Sequence, residues 1–149
     1  MARDDFTCSH PLRVRWSEVD MQKIVFNGNY LNYFDVAVAE YWRAIGIPYP
    51  QGYVDRYSND VYLRKATVDY LGSARYDEML DVLVRVARLG RTSMTFAFEI
   101  WCVAPVPSGK PLVTAEFVYV NADPETMTPA PLPEALRELI NKYERLAPA

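Results

Sequence analysis

The sequence predicts an α+β fold in which a curved, mostly antiparallel five-stranded sheet wraps a long central helix, with a further helix at the C-terminus. One strand-like segment precedes a strongly aromatic helical stretch, and four strand-like segments follow it with short connections. Strands do not alternate with helices, which argues against a parallel βαβ sheet. Long neighbouring strands twist and favour antiparallel pairing, so the sheet is expected to curve around the helix. The length of 149 residues fits one domain over residues 1–149.

Residue spacing identifies the first strand and the long helix. Apolar and charged residues alternate over residues 12–16, which predicts a half-buried strand. Apolar and aromatic side chains recur every three or four positions over residues 29–45, which predicts a helix with a broad buried face. Gly46 directly after this stretch is a helix stop signal, and Asn27 before it is a favourable N-cap residue.

The second half of the chain is predicted to form a strand meander closed by a helix. Residues 48–59 carry two prolines and a glycine and are predicted as an irregular loop. Pro133 fits the first turn of a final helix over residues 134–146. The four intervening strands are predicted at residues 61–71, 79–89, 92–103 and 112–120.

The composition argues against several classes of protein. The net charge of −3 and the pI of about 5.2 oppose general nucleic-acid binding. The chain has no apolar run of about 18 residues and no signal-peptide pattern, so no membrane span and a cytoplasmic location are expected. His10, Cys8 and Cys102 lack the spacing of zinc sites and disulfide frameworks, so free thiols and no metal site are expected.

An acidic side chain marks the turn between the first strand and the long helix. Asp20 precedes the helix start near Asn27, where the first backbone N–H groups have no partner within the helix. A carboxylate at this place can attack a carbonyl or activate water, and the helix N-terminus can polarise the carbonyl oxygen. Asp20 could alternatively close an Asx-type turn, and the Asn27 side chain could only cap the helix. The segment 16–30 is therefore predicted as the reactive centre.

The residues around this turn resemble the opening motif of the hotdog-fold acyl-CoA thioesterases. The branch is that of 4-hydroxybenzoyl-CoA thioesterase and the Tol-Pal-associated thioesterases. Segments 70–80 and 88–94 add weaker similarity, and the resemblance extends from Leu12 to the closing helix. The matching positions are Arg13, Arg15, Trp16, Asp20, Ile24, Val25, Phe26, Asn27, Tyr30, Leu31, Tyr33, Phe34 and Asp35.

The chain also departs from this family pattern. Lys23 stands where the family has a glycine three residues after the aspartate, and Glu18 is a conservative change of the acid two residues before it. Val38 and Ser73 occupy positions where an arginine and a proline are usual. Because glycine often supplies a positive φ, Lys23 could alter the turn, and the acyl preference stays open.

The resemblance implies a hotdog-fold hydrolase that cleaves the thioester of a small acyl- or aroyl-CoA. Asp20 would act either as a nucleophile, through a mixed anhydride, or as a general base for water. The backbone N–H of Asn27 would polarise the thioester oxygen. The resemblance also implies a homodimer or homotetramer with the active site across the interface. Coenzyme A would be part of the substrate, with no separate cofactor and no nucleic-acid or membrane partner.

Further positions are predicted to bind the substrate. Tyr30 and Asp35 on the helix are expected near the acyl group, although Tyr30 could belong to the core and Asp35 could be a solvated acid. Arginine forks suit phosphate oxygens, so a basic hairpin is expected to hold the phosphates of coenzyme A unless it is simply solvated. The positions expected to surround the phosphates are Lys65, Arg88, Gly90, Arg91, Thr92 and Ser93.

Two other functions compete with acyl-CoA hydrolysis. A hotdog-fold binding module would hold an acyl-CoA without hydrolysing it, and Lys23 would be a sign of lost activity. A thioesterase acting on acyl-carrier protein would need a basic patch, for which Arg64, Lys65, Arg88 and Arg91 are available. A dehydratase is disfavoured, because hotdog dehydratases carry a histidine in or just before the central helix and this helix has none.

Overall fold

The computed structural model describes residues 2–149 and confirms the predicted α+β architecture. Its five strands form one sheet in the order β1-β3-β4-β5-β2, and every neighbouring pair is antiparallel. The strands are β1 Cys8–Arg13, β2 Asp60–Tyr70, β3 Met79–Leu89, β4 Ser93–Ala104 and β5 Val113–Ala122. The α-helices are α1 Asn29–Ala44, α2 Gln51–Tyr57 and α3 Glu134–Tyr143, and short 3-10 turns occur at Arg3–Asp5 and Trp16–Glu18.

The long helix α1 lies against the sheet through an aromatic face. Phe34 packs on Phe98 with ring centroids 4.7 Å apart, and Tyr41 meets Phe96 edge-on at 5.3 Å. These edge and tilted contacts are the preferred geometries of aromatic pairs. The helical spacing of aromatic residues thus predicted the core correctly. The residues of α1 buried in it are Tyr30, Tyr33, Phe34, Ala37, Val38, Tyr41 and Trp42.

Two local predictions are wrong. The first strand was predicted at residues 12–16, but β1 spans Cys8–Arg13. Its pairing with β3 runs from Cys8, opposite Val84, to Arg13, opposite Met79, so residues 14–16 lie outside the sheet. Residues 48–59, predicted as a loop, contain helix α2. The Tyr53 side chain of α2 is fully buried and packs on Trp42 at 5.4 Å, so tertiary burial outweighs the local proline and glycine signals.

The two edges of the sheet differ in length and composition. The edge strand β1 has six residues and contains Pro11, which has no backbone N–H to offer to another strand. The other edge strand, β2, has 11 residues and exposes the side chains of Leu63 and Tyr70. The β2 edge is therefore the better template for pairing with a further strand.

A buried carboxylate fastens the C-terminal segment to the sheet. The pairing of β1 with β3 ends where Cys8 faces Val84. Val86 of β3 lies beyond this pair, and its N–H donates to Glu144 Oε2 at 2.7 Å. The Tyr41 hydroxyl donates to the same oxygen at 2.8 Å. The Glu144 residue is only 6% exposed, and its Oε1 has no hydrogen-bond partner among residues 2–149. Burial raises the pKa of Glu144 above its ordinary value.

The substitution Glu144→Gln tests this buried carboxyl. A raised pKa means that the folded state holds the proton more tightly, so ionisation of Glu144 lowers stability as pH rises above about 4.5. The amide oxygen of Gln can accept the Val86 N–H without ionising. Between about pH 5 and pH 8, we therefore expect the free energy of unfolding to fall more in the wild type than in the variant.

Urea denaturation at both pH values measures this difference. Glu138→Gln, at an exposed position of α3, is the matched control and should retain the wild-type pH dependence. The same pH dependence in all three proteins would contradict the role assigned to Glu144.

Candidate active site

The segment between β1 and α1 forms a tight turn around Asp20. The Asp20 N–H donates to the Ile24 carbonyl at 3.1 Å, and the Lys23 N–H donates to the Asp20 carbonyl at 2.9 Å. Val19 and Val25 face each other as an isolated antiparallel bridge that closes the turn. The chain therefore presents Asp20 on a small, internally bonded loop rather than on a free linker.

Lys23 adopts a backbone conformation that glycine usually provides. Its φ is +66°, in the left-handed region, which costs a residue with a side chain about 1–2 kcal/mol. The hydrogen bonds of the turn, which span Asp20 to Ile24, hold Lys23 in this conformation. Lys23 therefore keeps the positive φ that glycine would supply, and the turn tolerates the strain.

The Asp20 carboxylate has one internal hydrogen bond. Its Oδ1 accepts the Gln22 N–H at 2.8 Å, which is the Asx-type contact expected of a turn aspartate. No other hydrogen bond or ion pair joins this carboxylate to the described part of the chain. One carboxylate oxygen is thus held by the turn, and the other is available to a ligand.

Glu18 organises the turn and the start of α1 together. Its side chain is buried and accepts the Arg15 N–H at 2.7 Å, the Arg15 guanidinium at 3.0 Å and the Tyr33 hydroxyl at 3.0 Å. Its carbonyl oxygen accepts the Phe26 N–H and the Asn29 side-chain amide, each at 2.9 Å. A single residue therefore links both sides of the Asp20 turn to the first turns of α1.

These contacts decide the charge of Glu18. Burial raises the pKa of Glu18, but the hydrogen bonds from the Arg15 N–H, the Arg15 guanidinium and the Tyr33 hydroxyl outweigh it, and the pKa is lowered. Burial and the same Glu18 carboxylate raise the pKa of the Tyr33 hydroxyl. The pair is therefore an ionised carboxylate bonded to a neutral phenol at neutral pH.

Two backbone N–H groups directly before α1 are available as donors. The helix begins at Asn29 with Gly28 as the N-cap residue, so the expectation that the Asn27 side chain caps the helix is wrong. Within residues 2–149, neither the Asn27 N–H nor the Gly28 N–H donates a hydrogen bond. Donors of this kind beside a carboxylate suit a carbonyl that gains negative charge during reaction.

Asp20, Asn27 and Tyr30 line the same narrow pocket, of about 120 Å³. The Tyr30 ring is buried and its hydroxyl oxygen accepts the Ala74 N–H at 2.9 Å, so Tyr30 belongs both to the core and to the pocket wall. The Tyr70 hydroxyl donates to the Asn27 carbonyl at 3.3 Å from the other side. Three of the predicted site residues are therefore brought together.

Asp20 also lines a second, wider pocket of about 460 Å³ with Trp16, Val19, Lys23 and Tyr76. The Trp16 and Tyr76 rings lie 6.4 Å apart with their planes inclined by 50°. Both side chains are exposed, Trp16 at 82% and Tyr76 at 55%. The Asp20 carboxylate thus lies where a narrow polar pocket meets an open aromatic one.

Asp35 lies away from both Asp20 pockets. It is exposed and lines a separate pocket of about 190 Å³ with Trp42, Tyr49 and Tyr119 among its neighbours. Burial raises the pKa of Tyr119 to about 12, and the Asp35 carboxylate adds to this shift. Within one chain, Asp35 therefore does not share a pocket with the reactive turn.

The predicted basic hairpin lies at the opposite end of the sheet. Arg88 is exposed near the end of β3 that is remote from Glu78 and the Asp20 turn, and Arg91 is exposed just beyond that end. The 11 residues of β3 separate the two ends by about 30 Å. Lys65 is exposed in the middle of β2. Within one chain, these cations are not beside Asp20.

Internal contacts fix the conformation of this hairpin. The Arg137 guanidinium donates to the carbonyl oxygens of Gly90 and Arg91, and the Thr92 carbonyl accepts the Asn121 N–H at 2.8 Å. A Cβ atom at Gly90 would lie only 2.7 Å from Ser93 Oγ, so a larger residue there would displace the Ser93 side chain. The side chains of Arg88 and Arg91 stay directed to solvent on a rigid support.

The matches to known proteins agree with this geometry. Residues 14–140 match the thioesterase-like superfamily. The chain belongs to that superfamily. The acyl-CoA thioester hydrolase YbgC of Escherichia coli is 28% identical over 127 residues, which cover 85% of this chain and 90% of that protein. The predicted family resemblance and the prediction of a thioester hydrolase are both confirmed.

Solved structures of the superfamily share the fold. A thioesterase from Thermus thermophilus, complexed with coenzyme A and Zn, is 27% identical with a TM-score of 0.77, covering 95% of this chain and 96% of that chain. A 1,4-dihydroxy-2-naphthoyl-CoA thioesterase from Synechocystis is 17% identical with a TM-score of 0.78, covering 89% of this chain and 94% of that chain. The predicted hotdog fold is confirmed.

Three further features of residues 2–149 concern metal ligands, helix length and cysteine pairing. Residues 2–149 contain no group of three or more His, Cys, Asp or Glu side chains arranged to hold a metal ion. None of the helices in this range is both long enough and apolar enough to cross a membrane. Cys8 and Cys102 are buried free thiols.

Some residues of the site were not predicted from the sequence. The sequence marks Glu18 only as an acid of the family pattern. Its spacing of three from Arg15 is a signal for their local contact. Its bond to Tyr33 spans 15 positions, so no local signal predicts it. The pairing of Trp16 with Tyr76 depends equally on tertiary structure.

The strain at Lys23 gives a stability prediction. Glycine removes the left-handed strain, which stabilises the folded state, but it also increases the entropy of the unfolded chain, which offsets part of this gain. Lys23→Gly should therefore raise the free energy of unfolding by about 1 kcal/mol. Urea denaturation measures the change. Lys110→Gly, in an exposed loop position without a positive φ, is the control and should be destabilising. Destabilisation by both substitutions would contradict the strain assigned to Lys23.

Proposed function

We propose that this protein hydrolyses the thioester bond of a small acyl- or aroyl-CoA at the Asp20 turn. The observation that carries the proposal is the juxtaposition, in one narrow pocket, of a carboxylate with one unbonded oxygen and of Asn27, whose backbone N–H is unpaired. Membership of the thioesterase-like superfamily and the similarity to an acyl-CoA thioester hydrolase support the substrate class.

The residues take complementary roles in this reaction. The thioester oxygen accepts hydrogen bonds from the Asn27 and Gly28 N–H groups, which stabilise the charge that develops on it. One such donor contributes about 3 kcal/mol to transition-state stabilisation in other acyl-transfer sites. The Asp20 carboxylate either attacks the carbonyl carbon and expels the CoA thiolate, leaving a mixed anhydride that water cleaves, or removes a proton from the attacking water.

A second copy of the chain would bring coenzyme A contacts to this pocket. The Asp20 pocket lies at the end of the sheet where β2 finishes at Tyr70, whereas the Arg91 hairpin lies at the end where β2 begins at Asp60. Antiparallel pairing along β2 reverses the second copy, so its hairpin end comes to the Asp20 end of the first. We therefore propose a homodimer whose sites use the partner's basic hairpin for the CoA phosphates.

The rival function, a binding module without turnover, depended on Lys23 as a sign of a lost turn. Lys23 keeps the left-handed φ of +66°, and the turn hydrogen bonds around Asp20 are intact. These observations favour the hydrolase over the binding module.

The substitution Asp20→Asn tests the hydrolase directly. The Asn amide oxygen can still accept the Gln22 N–H, so the variant should fold with an unchanged circular dichroism spectrum. We expect kcat for acyl-CoA hydrolysis to fall by about a hundredfold or more, because the attacking or proton-accepting carboxylate is lost. A panel of acyl- and aroyl-CoA esters with a thiol-detecting assay measures turnover.

The exposed Asp55→Asn substitution on α2 serves as the control and should retain wild-type turnover. Near-full activity of Asp20→Asn would remove Asp20 from the mechanism. Tight binding of CoA esters without turnover by the wild type would favour the binding module.

The proposed assembly makes a separate prediction. The wild type should sediment at twice the chain mass of 17.1 kDa. Leu63→Asp should shift the protein towards the monomer and lower hydrolysis, because Leu63 is exposed on β2 and two like charges would meet near the pairing axis. Val106→Asp, at a position in the loop after β4 that is also exposed, is the control and should leave the mass unchanged. A fully active wild-type monomer would contradict the dimer.

A further inference from the structure

The two pockets that meet at Asp20 differ in what they can hold. The narrow pocket with Asn27 has a volume of about 120 Å³, below the range of about 300–1,000 Å³ typical of sites for small organic ligands. The wider pocket, of about 460 Å³, lies within that range. A thioester placed at Asp20 therefore has room for its carbonyl on the narrow side and for an acyl ring only on the wide side.

The walls of the wide pocket suit a flat aromatic group. The Trp16 and Tyr76 rings form two inclined surfaces 6.4 Å apart, and both are exposed to solvent. Aromatic rings stack favourably on tryptophan and tyrosine faces in offset or tilted arrangements. An apolar ligand would cover surface that is otherwise exposed to water.

The same pocket contains a cation without a partner. Lys23 lines it, and its side chain makes no ion pair or hydrogen bond within residues 2–149. Its ammonium shares the pocket with the Asp20 carboxylate without pairing with it. An ammonium on a flexible stem is a strong point donor for an anion.

We infer that the wide pocket binds a planar aromatic acyl group that bears a carboxylate, with Lys23 as the residue that recognises the carboxylate. The inference rests on the proposed hydrolase function and adds to it a substrate class. The ring lies against the exposed faces of Trp16 and Tyr76, and the thioester carbonyl reaches Asp20. Lys23 offsets the repulsion that a second carboxylate would otherwise meet beside Asp20.

The test compares 4-carboxybenzoyl-CoA with benzoyl-CoA. We expect the wild type to have the higher kcat/KM for the carboxylated ester, and Lys23→Gln to lower the ratio of the two kcat/KM values by about tenfold. Gln is chosen because it keeps a side chain at the left-handed position, so the backbone conformation stays the same. Lys142→Gln, at an exposed lysine of α3 that lines neither Asp20 pocket, is the control and should retain the wild-type ratio.

Other outcomes would overturn the inference without affecting the hydrolase. If Lys23 contacts the CoA phosphates, Lys23→Gln lowers kcat/KM for both esters equally and the ratio stays unchanged. A preference for 4-hydroxybenzoyl-CoA that is insensitive to Lys23→Gln would equally exclude carboxylate recognition. Absence of turnover of any CoA ester by the wild type would instead contradict the proposed function.

A binding measurement separates the two failures. Asp20→Asn is expected to hold the ester without cleaving it, so 4-carboxybenzoyl-CoA should quench the tryptophan fluorescence of this variant. Adding Trp16→Phe should remove most of the quenching, and adding Lys23→Gln should weaken binding by about tenfold. Equal quenching with and without Trp16 would place the ring outside this pocket and overturn the inference.

Discussion

The buried Glu18 carboxylate is the contact on which the reactive turn depends. It ends the 3-10 turn that follows β1, and its bonds to Arg15 and Tyr33 tie this turn to the first turns of α1. Its carbonyl also holds Phe26 and Asn29. The position of Asp20 is therefore set by a neighbouring acid that does not itself line either pocket. A reactive carboxylate on a loop needs such support, because catalytic geometry tolerates little displacement.

The fold divides the chemistry between two ends of one sheet. The carboxylate and the free N–H groups lie at one end, and the exposed arginines of the β3–β4 hairpin lie at the other. A long ligand cannot contact both ends of the same chain in this arrangement. This separation is the physical reason for the proposed dimer. The second copy is reversed, so its hairpin end meets the Asp20 end of the first copy.

The sequence predicted those features that repeat along the chain. The spacing of aromatic residues in α1 reflects burial on one face and was correct, and the strand at residues 79–89 was predicted with its observed bounds, although residues 82–86 of β3 are buried on both faces. Helix α2 was missed because Tyr53 is buried by contacts with α1, which proline and glycine signals do not reveal. In the site, Asp20 and Asn27 were predicted from a short motif. The Trp16–Tyr76 walls were not, because the two residues meet only after folding.

The unequal edges of the sheet limit how copies of this chain can associate. β1 is short and is interrupted by Pro11. Beyond the start of β1, the Val86 N–H of β3 donates to the Glu144 carboxylate and is not free to pair with another strand. The Ala149 N–H donates to Ala87 and the Ala149 carbonyl accepts from Leu89, so the tail occupies the rest of that side of β3. Among the strands of residues 2–149, only β2 remains as a long, open edge. Edge-to-edge growth of the sheet therefore stops at a pair and cannot continue into a filament.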